Sequence, residues 1–108
     1  MSHYRIVLIT VPDEENARII AHGLVSEKLA ACVNIVTGVR SVYQWQGQIH
    51  SDNELLLICK TTDDVWPSLK EWVLRHHPYE VPEMVELPIL EGAPAYLQWM
   101  DSCLTPER

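Results

Sequence analysis

The chain has 108 residues, of which 47% are hydrophobic, and it carries 15 acidic against 8 basic side chains for a net charge of −7. That length and apolar content describe one ordered domain and exclude a largely disordered chain. The acidic balance, with no cluster of Lys or Arg, argues against nucleic acid and against anionic membrane surfaces as partners.

No stretch approaches the roughly 20 apolar residues of a membrane span. Ile6–Val11 is too short for a secretory signal and runs into Pro12-Asp13-Glu14-Glu15 instead of a small-residue cleavage site. Cys32, Cys59 and Cys103 are odd in number, far apart and free of any Cys-x-x-Cys spacing. They indicate neither a disulfide framework nor a zinc ribbon, and a cytoplasmic location is expected.

Arg5–Val11 is a β-rich apolar run closed by Pro12, which predicts a buried strand. Asp13 follows as an N-cap, with Glu14 and Glu15 in a first turn that favours acids. Ala17, Ile20, Ala21, Leu24 and Val25 recur at helical spacing, so a helix is predicted over 14–29. A long extended stretch, 31–45, comes next, with Gly38 marking a bulge. Gln46-Gly47 is a turn signal, and a returning arm runs over 48–61. Leu55–Cys59 is apolar at every position, as in a central strand.

A second helix is predicted from Asp63 or Asp64, with Pro67 in its first turn and Pro78 as its stop. Its apolar face is Leu69, Trp72, Val73 and His76. Another strand is expected within 81–90, forced towards a sheet edge or short length by Pro82 and Pro88. A short amphipathic helix closes the chain over 94–104. The order strand, helix, strand, strand, helix, strand predicts an α+β, ferredoxin-like sandwich: an antiparallel sheet with two helices on one face.

The arms flanking Gln46-Gly47 are too long for that sandwich. At about 3.3 Å per residue they reach roughly 45–50 Å, whereas a compact domain of this size spans roughly 35 Å. The hairpin must project, and it carries Tyr43, Trp45 and Ile49. Such a projection invites cover by another subunit.

Five segments then stand out: Thr10-Val11-Pro12-Asp13, Glu27-Lys28-Leu29-Ala30-Ala31-Cys32-Val33-Asn34, Tyr43-Gln44-Trp45-Gln46-Gly47, Cys59-Lys60-Thr61 and His76-His77-Pro78-Tyr79-Glu80-Val81-Pro82-Glu83. Together, and in this order over nearly the whole chain, they resemble the CutA family of divalent-cation tolerance proteins. The resemblance implies a cytoplasmic homotrimer of ferredoxin-like subunits, similar in architecture to PII signalling proteins. It also implies an association with copper and other divalent metals, and no established catalytic reaction.

His and carboxylate are good ligands for borderline metals, and copper stands at the top of the divalent affinity order. His76, His77 and Glu83 are therefore the candidate metal ligands. Adjacent residues do not face one another on a regular element, however, so the two histidines need the break at Pro78 to meet on one ion. Copper-binding members of the family carry a cysteine in the first strand where this chain has Ile9. Cu(II) or another divalent cation is accordingly expected to bind weakly. The competing reading packs His76 on its helix and spends His77 on a backbone carbonyl.

Trp45, Lys60, Tyr79 and Glu80 are the candidate ligand cleft. Lys60 is either a strand-end lysine or the partner of an anion or carboxylate between subunits. Trp45 is either a hairpin clasp or a wall of the same cleft. Cys32 and Cys59 read as small buried hydrophobes, and Cys103 as an exposed thiol. Two functions are left to compare: a non-enzymatic trimeric binding protein linked to metal tolerance, and a PII-like sensor that takes a small ligand or anion between subunits. An enzyme ranks last, because no phosphate loop, Walker, Rossmann or zinc-hydrolase motif is present.

Overall fold

The computed structural model describes residues 2–104 as β1 (Tyr4–Val11), α1 (Glu14–Ser26), β2 (Cys32–Trp45), β3 (Gln48–Thr62), α2 (Trp66–His76), β4 (Met84–Pro88) and α3 (Pro94–Cys103). The four strands form one antiparallel sheet in the order β2-β3-β1-β4. This is the ferredoxin-like α+β arrangement expected from the element order.

Strand alternation assigns each residue its layer. Val7, Ile9 and Val11 of β1, with Leu57 and Cys59 of β3, are fully buried. They meet Ala17, Ile20 and Leu24 of α1, Leu69 and Val73 of α2, and Met100 of α3 in one core. Ile9 is thus a core residue. A thiol at this position would be enclosed among aliphatic side chains.

Helices α1 and α2 each differ from the sequence expectation at one end, for a local reason. Helix α1 stops at Ser26 because Lys28 takes the left-handed conformation, with φ 60. Leu29 N–H then donates to Leu24 O at 2.8 Å and Lys28 N–H to Val25 O at 3.1 Å. These are the two bonds of a Schellman cap, built here without glycine. Helix α2 begins late, at Trp66, because 63–65 form a turn that leaves Pro67 in the first helical turn. Strand β4 lies within 81–90 and is a short edge strand, as expected; it starts only at Met84 because 77–83 are held against β1 and β3 by side-chain bonds described below.

The hairpin behaves as its length requires. Strands β2 and β3 pair from Cys32↔Lys60 to Trp45↔Gln48, with a register shift between Val36 and Val39 around Gly38, whose φ is 78. Gln46 and Gly47 turn with φ 51 and 81, the two positive values of a type I′ turn. The described residues extend 44 Å along their long axis and only 25 and 22 Å across it.

Gly23 sets how closely the two main helices approach. A Cβ there would lie 2.3 Å from Trp72 Cη2 and 2.5 Å from Cζ2. The Trp72 ring cannot simply swing away, since it stacks on His76 with 3.8 Å between centroids. Gly23→Ala gains about 1 kcal/mol of helix propensity but overpacks the site at a cost of about 1–3 kcal/mol. We expect a lower urea midpoint for Gly23→Ala in the parent and a higher one in a Trp72→Leu background. The same sign in both backgrounds would refute this account.

Candidate functional site

Helices cover only one face of the sheet. The alternate residues, Ile6 and Leu8 of β1, Leu56 and Ile58 of β3, Val36 of β2, and Val85 and Leu87 of β4, line the other. In the single chain Val36, Val85 and Leu87 are 39%, 48% and 46% exposed. An apolar face that is open across four strands is unusual for an isolated soluble domain. Along β3 this face changes character. Lys60 stands at one end, Leu56 and Ile58 in the middle, and Glu54, Asp52 and His50 towards the hairpin tip, opposite Tyr43 and Trp45 of β2.

At the acidic end the face hollows into a groove of about 790 Å³, between the hairpin and the segment 78–83. Tyr43, Trp45 and Tyr79 supply its aromatic surface, and Glu54, Glu80 and Glu83 its carboxylates. The backbone around it is fixed by His77. Its Nε2–H donates to the Thr10 carbonyl at 2.8 Å, and its Nδ1 accepts from Tyr79 N–H at 3.1 Å. Because a carbonyl can only accept and an amide N–H can only donate, the partners assign the neutral tautomer with its proton on Nε2.

Tyr79 follows from this anchor. Its hydroxyl donates to Glu54 Oε2 at 2.8 Å, and partial burial together with that carboxylate pushes the phenol well above its ordinary range. Thr10 Oγ1 makes a long 3.4 Å bond to Glu83 Oε1. Tyr43, half exposed, donates its hydroxyl to Asp52 and stacks on His50. Its phenol is also raised, first by the Asp52 bond.

The candidate residues therefore divide. Trp45, Tyr79 and Glu80 line one groove together with Glu83, a candidate metal ligand on the sequence reading. Lys60 lies elsewhere, donating to Asn34 Oδ1, at about 20 Å along β3 from Glu54. It is not a wall of this groove within one chain. Tyr43, Trp45 and Ile49 are 42%, 44% and 78% exposed on the projecting hairpin.

His76 and His77 part company at the end of α2. His77 is 8% exposed with both ring nitrogens engaged, which matches the carbonyl-satisfying reading rather than the ligand reading. His76 is exposed and donates Nδ1–H to Trp72 O at 2.7 Å, leaving the Nε2 lone pair outward. Among the described residues no three His, Cys, Asp or Glu side chains converge as a metal site, so His76, His77 and Glu83 do not form one ligand set in the single chain.

Cys59 is fully buried, and burial pushes its thiol up to about 12, so it is a core residue and no nucleophile. Cys103, expected to be exposed, is instead half-buried against the core. Glu54 is the groove residue that sequence reading passes over. Its one signal is an acid standing directly before the apolar run 55–59.

These observations define a class: a ferredoxin-like domain with a long hairpin, an open apolar sheet face and an acidic, aromatic groove. Residues 5–103 match the model of the family described as CutA1 divalent ion tolerance protein, and the chain belongs to that family. It is 60% identical over 95 residues to the divalent-cation tolerance protein CutA of Thermus thermophilus, covering 88% of this chain and 92% of that one. Against the chloroplastic protein CutA of Arabidopsis thaliana it is 48% identical over 95 residues, 88% of this chain but only 52% of that protein. A solved structure of the divalent cation tolerance protein from Thermus thermophilus superposes with a TM-score of 0.88 at 59% identity, covering 90% of this chain and 94% of that one.

Proposed function

We propose that this chain is a non-enzymatic, homotrimeric binding protein that acts in the cytoplasm in tolerance of divalent metal ions, copper among them. Membership of a family whose members are named for divalent ion tolerance carries the metal part of this reading. The open apolar sheet face and the exposed hairpin support assembly, because both would be dry once other copies cover them. The three cysteines are free thiols, which the reducing cytoplasm maintains.

The chemistry available for a metal is modest. His76 offers one imidazole lone pair, oriented by the bond from its other nitrogen to a backbone carbonyl, as in many metal-binding histidines. A single neutral imidazole takes Cu(II) ahead of the other divalent ions, but weakly. Glu80 and Glu83 add carboxylates in the same segment.

Sedimentation of the intact protein at low micromolar concentration tests the assembly, with an expected mass three times 12.4 kDa. A 12.4 kDa species under those conditions would overturn it. A second reading, a PII-like sensor of a small ligand, is favoured by the preformed groove, whose walls are held by the Thr10–His77–Tyr79–Glu54 chain of bonds.

A further inference from the structure

We draw no further inference here: the strongest candidate, the pairing of Lys60 at one end of the open sheet face with the acidic groove of a neighbouring copy at the other end, belongs to the intersubunit assembly already proposed, and nothing in the single chain shows which groups of another copy that lysine meets.

Discussion

Ile58→Asp is expected to convert the proposed homotrimer to monomers that keep their secondary structure. Ile58 occupies the middle of β3 on the open face, with Leu8 of β1 and Asn34 of β2 beside it. In a lone chain the new carboxylate would sit on a wet surface and cost little. In an assembly closed over that face each copy would bury an unpaired charge, at about 3–5 kcal/mol. Every 1.4 kcal/mol is a factor of ten, so association weakens by at least about a hundredfold per chain. Sedimentation with parallel far-ultraviolet circular dichroism reads both quantities. A variant that retains the parent mass places the intersubunit contact elsewhere than this face.

The two neighbouring histidines are expected to give opposite results in two assays. His77→Ala removes a donor to Thr10 O and an acceptor for Tyr79 N–H, and it empties a site that is 8% exposed. Unsatisfied groups and the cavity together cost about 2–4 kcal/mol. Copper uptake should survive. His76→Ala removes an exposed ring that is bonded to a helix carbonyl and stacks on Trp72. Its stability cost should remain below about 1 kcal/mol, while Cu(II) binding measured by calorimetry should fall below detection. Copper binding that follows His77 instead of His76, or survives both changes, would show that the metal is held by other groups.

The same pair illustrates how far the sequence can be read. Adjacent histidines before Pro78 announce a local event, and the period of α2 places His76 on the helix. Which nitrogen finds which partner depends on Thr10, far away in β1, and on the amide of a residue beyond the helix. No local pattern carries that information. Lys60 shows the converse error. Grouping it with Trp45 and Tyr79 is plausible along the sequence, yet strand register separates them, since Lys60 pairs with Cys32 at one end of the hairpin and Trp45 with Gln48 at the other.

Local rules suffice for the element order, the turn at Gln46-Gly47, the bulge at Gly38 and the excess length of the hairpin. Those rules are the period of apolar residues, the φ values open to glycine, and the rise per residue of a strand. They suffice also for the Asp13 cap, whose carboxylate accepts from Asn16 N–H at 2.8 Å and is thereby held below its ordinary range. The groove and its buried Glu54 emerge only when distant segments pack. Glu54 follows a run of polar residues down the returning arm of the hairpin, and its one sequence signal, the apolar run 55–59 directly after it, does not tell a buried acid from a solvated one. It becomes a buried carboxylate because the segment 77–83, anchored through His77 to β1, brings Tyr79 over it. Burial of a polar group is a property of what packs against it, and those residues come from a distant part of the chain.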